Sequence, residues 1–158
     1  MPSESARATT AAEARYRLAA PNSRPRTVAV VPLDAAAGAS IAAISDRGWQ
    51  RALFVPLAEG NDWLAVLPAR TRALVDAIEA ANLVVLLATA GADARAAGMV
   101  ADLAAARGRM IAAVLIDGGD ADAPALEASL AALRPHAGML VLAEGEDYLA
   151  AMLEALRA

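Results

Sequence analysis

Two short stretches of this chain pair residues capable of chemistry with glycines that let a backbone approach a ligand. The first is Leu33-Asp34-Ala35-Ala36-Ala37-Gly38-Ala39-Ser40. It follows an apolar run, so it stands where a phosphate-binding turn opens a helix and offers its N–H groups to an anion. Gly38 is the only glycine there, and the Asp34 carboxylate repels a phosphate unless a metal intervenes, so a plain tight turn is the simpler reading. The second is Ala88-Thr89-Ala90-Gly91-Ala92-Asp93-Ala94-Arg95-Ala96-Ala97-Gly98. Thr89, Gly91 and the N–H groups of a following helix could hold an anion, with Arg95 adding positive charge. Equally, Asp93 would serve as an ordinary N-cap and Gly98 as a close helix–sheet contact.

Two further groups are weaker. Asp117-Gly118-Gly119-Asp120-Ala121-Asp122 gathers three carboxylates, the ligand type that hard cations take, but lacks the full calcium-loop spacing and reads as a solvated turn. His136, the sole histidine, could act as a base in a small hydrolase or isomerase if Asp34 lay beside it, although no Ser-His-Asp ordering supports that. A surface or helix-end histidine is the simpler reading.

Composition removes most other chemistries. There is no cysteine, which excludes thiolate catalysis, disulfides, iron–sulfur clusters and Cys-ligated zinc. All basic residues are arginine, so no lysine is present for a Schiff base or a Walker-type phosphate contact. One histidine excludes a His-rich metal site, and no metal ligand set is assigned. The net charge of -4 argues against a nucleic-acid-binding face. The longest apolar runs, such as Asn82 to Ala90, fall far short of a membrane span of about 20 residues. Glu4 and Glu13 interrupt an N-terminus that has no apolar core of a secretory signal, so the expected location is cytoplasmic.

The elements that must position these residues are legible as alternating apolar strands and alanine-rich helices. Residues 1–26 end in Pro21-Asn22-Ser23-Arg24-Pro25 and read as a flexible N-terminal tail, with a short helix around 11–18. From 27 to 158 the pattern predicts one domain. Strands are expected at 27–33, 51–57, 82–89, 110–116 and 138–142, and helices at 39–47, 69–81, 93–107, 124–134 and 146–157, with a loop over 58–68. The unbroken apolar run of 82–89 suits a central strand covered on both faces. Five strands alternating with five helices predict a Rossmann-like, three-layer αβα sandwich on a mostly parallel sheet. Ligands of such sheets sit beyond the carboxyl ends of the strands, which is where both glycine-bearing stretches fall.

The segments Ala81 to Gly91, Ala97 to Ala104 and Arg107 to Ile116 together resemble the GTP-binding domain of the FtsZ/tubulin family, which has an apolar strand, a glycine-rich phosphate loop, a helix and a second apolar strand in similar order. The likeness extends in layout over roughly 27–142. It implies a Rossmann-like fold and GTP or another nucleotide as ligand, held by Asp34, Gly38, Ser40, Thr89, Gly91, Asp93 and Arg95. The family's signature loop is richer in glycine: here Gly91 and Gly98 flank Ala92-Asp93-Ala94-Arg95-Ala96-Ala97, and the first turn keeps only Gly38. The chain also has no room for that family's C-terminal domain.

Every catalytic constellation in the sequence lacks at least one part, and no catalytic residue is assigned. The expected function is therefore a non-catalytic binding or accessory protein that associates with itself or with a protein partner, through its helices and the Trp63 region. The alternative is a nucleotide- or phosphometabolite-binding domain. The first predicts an exposed apolar patch; the second predicts N–H groups at Thr89 to Arg95 that point into an open cleft.

Overall fold

The computed structural model describes residues 24–56, 63–145 and 147–158, with the main chain alone over 63–69. The expected helix at 11–18 and residues 58–62 of the expected loop at 58–68 lie outside the described residues. Along the chain run β1 (Val28–Pro32), α1 (Ala35–Ser45), β2 (Ala52–Phe54), α2 (Trp63–Ala80), β3 (Leu83–Thr89), α3 (Ala96–Ala105), β4 (Met110–Ile116), α4 (Ala123–Leu133), a 3-10 turn (Arg134–His136), β5 (Met139–Ala143) and α5 (Asp147–Ala155).

The strands form one open sheet in the order β2-β1-β3-β4-β5, and every pairing is parallel. The chain thus winds from β1 outward to β2, then returns past β1 to lay down β3. The reversal opens a crevice beyond the carboxyl ends of β1 and β3, the position where such sheets bind ligands. Hydrophobicity explains which strands are central. All five residues of β1 and the first six of β3 are buried, whereas β2 is only half-buried along its length.

Side chains alternate between two cores. One contains Val31, Val84, Leu86, Ala113 and Leu115 with Ile78 of α2, Val100 of α3 and Leu133 of α4. The other contains Val30, Val85, Leu87 and Val114 with Ile41 and Ile44 of α1 and Leu149 and Leu153 of α5. Two helices therefore cover one face and three the other, the three-layer arrangement that the element order predicts.

Several boundaries differ from the expected ones. The α1 helix begins at Ala35 rather than residue 39, because Asp34 caps it directly: its side chain accepts the Ala37 N–H and its φ of -145° is extended. The β2 strand is three residues long rather than seven, since Pro56 lacks the N–H a ladder needs. Trp63 opens α2 instead of sitting in a loop, and the helix continues through Pro68. A proline there removes one ladder donor, a loss offset by the alanines and leucines that surround it in the sequence. At the chain's entry, the Arg26 N–H donates to the Leu156 carbonyl, and Asn82 and Thr27 exchange hydrogen bonds through Asn82 Oδ1 and the Asn82 N–H.

Candidate functional site

The crevice between β1 and β3 is closed by hydrogen bonds from its own walls. Asp34 stands one residue beyond Leu33, at the carboxyl end of β1, and Thr89 ends β3 beside it. Asp34 Oδ2 accepts the Thr89 N–H at 2.7 Å, and Oδ1 accepts both the Thr89 hydroxyl at 3.0 Å and the Ala37 N–H at 2.8 Å. One carboxylate thus caps α1 and ties the first strand's exit to the third's. An ionised carboxylate only accepts hydrogen bonds, so three converging donors match its chemistry.

The glycine-bearing loop after β3 is similarly occupied. The Ala90 N–H donates to the Ile116 carbonyl and the Ala92 N–H to that of Thr89. The Gly91 N–H donates to the Ser129 hydroxyl at 2.9 Å, and that hydroxyl in turn donates a hydrogen bond to the Ala125 carbonyl. Ser129 is the one buried polar side chain among the described residues, and it locks the loop onto α4. Gly91 has φ +81°, a left-handed conformation open to glycine at no steric cost.

Asp93 is not the N-cap expected of it: α3 starts at Ala96 rather than residue 93, Arg95 holds the cap position without a side-chain cap hydrogen bond, and Asp93 accepts the Arg95 N–H at 2.9 Å within the preceding turn, which the Ala97 N–H closes on the Ala94 carbonyl. The Arg95 guanidinium folds back on the same carboxylate, with Nε 2.7 Å from Oδ2. That side-chain hydrogen bond, followed by the one from the Arg95 backbone, holds the Asp93 carboxyl below the usual carboxylate value. Arg95 itself is 90% exposed, so its charge is spent on Asp93 and on water.

The expected site residues therefore fall into two sets. Asp34 and Thr89 are in direct contact, with Asp93, Arg95 and Met99 around an adjoining depression. Gly38 and Ser40 lie within α1, where the Gly38 N–H bonds the Asp34 carbonyl in the first helical turn instead of facing a ligand. His136 does not join Asp34. It precedes β5 and so belongs to the opposite end of a parallel sheet, and its ring packs against Gly98, where a Cβ would stand 3.3 Å from His136 Cε1. Gly98 thus makes room for an imidazole rather than for a strand.

In the acidic segment, Asp117 accepts the Gly119 N–H and Asp122 caps α4 through the Ala125 N–H. Among the described residues, no group of three or more histidine or carboxylate side chains is placed to hold a metal ion.

The structure also presents features that the sequence did not single out. The outer edge of β5 is unpaired among the described residues, and large apolar side chains are exposed on β5 and on other elements: Met139 (49%) and Leu142 (47%) in β5, Met110 (61%) in β4 and Tyr148 (40%) in α5. A groove of about 510 Å³ runs beside β5, lined by Met110, Met139, Met152 and Leu156 with Arg26 and His136. Only the strand order reveals that β5 is an edge. Among the described residues, no helix is long and apolar enough to cross a membrane. No protein-family model matches this chain, and no curated protein matches it in sequence.

Proposed function

We propose that this chain is a non-catalytic binding or accessory protein that associates with a second copy of itself through β5. The observation that carries the reading is the β5 edge: five residues without charge or proline, of which Met139 and Leu142 are exposed. Edge strands in stable monomers are blunted by charge, proline, shortness or cover. The opposite edge follows that pattern, since β2 has three residues and Pro56 follows it closely. The β5 edge does not.

A second copy suits this surface better than an unrelated strand. Arg134, which also pairs with Glu127, precedes β5, and Glu144 and Asp147 follow it. Two β5 strands paired antiparallel about a twofold axis set each basic start beside the other's acidic end, and the contact is self-complementary as a twofold interface requires. A five-residue strand offers about 17 Å of ladder. Each apolar side chain newly buried there contributes up to about 1.5–3 kcal/mol.

The nucleotide reading implied by the FtsZ/tubulin resemblance asks for open N–H donors after β3. Those of Thr89, Ala90, Gly91 and Ala92 are engaged within the protein, which weighs toward the binding-protein reading.

Sedimentation equilibrium across micromolar concentrations tests the proposal. The wild-type chain is expected to move from monomer to dimer, and Leu142→Glu to remain monomeric with an unchanged far-UV spectrum. A monomeric wild type at every concentration, or a dimer indifferent to Leu142→Glu, refutes it.

A further inference from the structure

A second cavity, of about 210 Å³, lies beyond the ends of β1 and β2 between α2 and α3. The strand order places it across the sheet from β5, so nothing in it depends on self-association. Its walls are mostly apolar, with Val31 and Leu33 from β1's exit, Val55 after β2, Leu74 of α2 and Val100 of α3, and its polar members are Arg70 and Thr71 of α2. Met99, 64% exposed, stands between this cavity and the depression that contains Asp34, Asp93 and Arg95.

Arg70 is the unusual member. Its Nε is shut off from solvent and has no hydrogen-bond partner among the described residues. The ion pairs among the described residues join Arg95 to Asp93, Arg107 to Glu79 and Arg134 to Glu127, and Arg70 enters none of them. A guanidinium against apolar walls is costly to desolvate unless an acceptor arrives to meet it. The acceptor chemistry follows from the surroundings. A single cation, with Asp34 and Asp93 close by in the next depression, suits one negative charge better than a phosphate's two. The apolar walls call for a hydrocarbon body, and 210 Å³ holds about seven groups the size of a water molecule at roughly 30 Å³ each.

We infer that this cavity binds a small monocarboxylate, with its aliphatic or single-ring body among Val31, Leu33, Val55, Leu74 and Val100 and its carboxylate on Arg70. A planar guanidinium can meet both carboxylate oxygens, which gives geometric as well as electrostatic selection. The charge-neutral amide of the same shape loses that pairing while keeping the apolar contacts.

The test titrates the wild-type full chain with hexanoate and benzoate, and with hexanamide and benzamide, by isothermal calorimetry. It repeats both in Arg70→Gln and Val100→Phe, with the Met99 methyl resonance as a local reporter. At least one acid is expected to bind about tenfold or more tightly than its amide and to shift the Met99 signal. Arg70→Gln removes the preference, and Val100→Phe, which fills the cavity, removes binding of both. Absence of binding by either acid, equal affinity for acid and amide in the wild type, or a preference that survives Arg70→Gln overturns the inference. The wild-type comparison decides even if a variant fails to fold.

Discussion

Replacing Asp34 by alanine tests whether the β1–β3 crevice is held shut by its own carboxylate. The substitution removes an N-cap, worth about 0.5–2 kcal/mol, and leaves the partly buried Thr89 N–H without its acceptor, worth about 1–3 kcal/mol. Together these predict a loss of roughly 2–4 kcal/mol, or about 3–5 °C in melting temperature per kcal/mol for a domain of this size. Asp34→Asn keeps the shape but turns one accepting oxygen into a donor. Whichever way the amide is oriented, the main-chain N–H of either Thr89 or Ala37 loses its acceptor, so an intermediate loss is expected. Thr89→Val removes only the hydroxyl bond and costs least, about 1 kcal/mol. Urea unfolding followed by far-UV circular dichroism measures the series, and a double-mutant cycle between Asp34→Ala and Thr89→Val should give a coupling on the order of 1 kcal/mol. An Asp34→Ala variant as stable as the wild type refutes the reasoning. A more stable variant would mean that the carboxylate is kept at a cost in stability, as binding and catalytic groups often are.

Gly91→Ala should cost about 1–2 kcal/mol in the same assay, because φ +81° is strained for an L side chain while the nearest atoms, at 3.8 Å, leave room for a Cβ. Gly91→Asn should cost less, since asparagine tolerates that region. Ser129→Ala removes the acceptor of the Gly91 N–H and is expected to destabilise by about 1–3 kcal/mol, with faster hydrogen exchange at Gly91 as the local readout. An NMR titration should find Asp93 ionising below its ordinary value of 3.8, and Arg95→Ala should return it upward. Because the folded value is the lower one, whatever the pair adds to stability is present above the ordinary value and lost as pH falls through the folded one. Both groups are exposed, so the neutral-pH melting temperature should barely move.

Layering was readable residue by residue. The apolar run of 82–89 is doubly covered as β3 because an uninterrupted hydrophobic strand has no face to give to water. Helix and strand ends were less legible where a local signal competed with a longer-range one. Pro68 reads as a boundary on its own, yet α2 carries through it, and Gly38 reads as a loop glycine until Asp34 is seen to start the helix four residues earlier. Asp34 and Thr89 each appeared as candidates in separate stretches, 55 residues apart, and nothing in either stretch says that they bond.

Composition and periodicity by themselves determined that this is an alternating α/β chain without thiol, lysine or paired-histidine chemistry, because those properties reside in residue types and short repeats. The tertiary structure alone decided that the order is β2-β1-β3-β4-β5, that Asp34 meets Thr89 rather than His136, that Arg70 faces an apolar cavity, and that β5 is an open edge. The physical reason is that parallel strands join through crossovers, and a right-handed crossover can place the next strand on either side of the last without changing any local pattern.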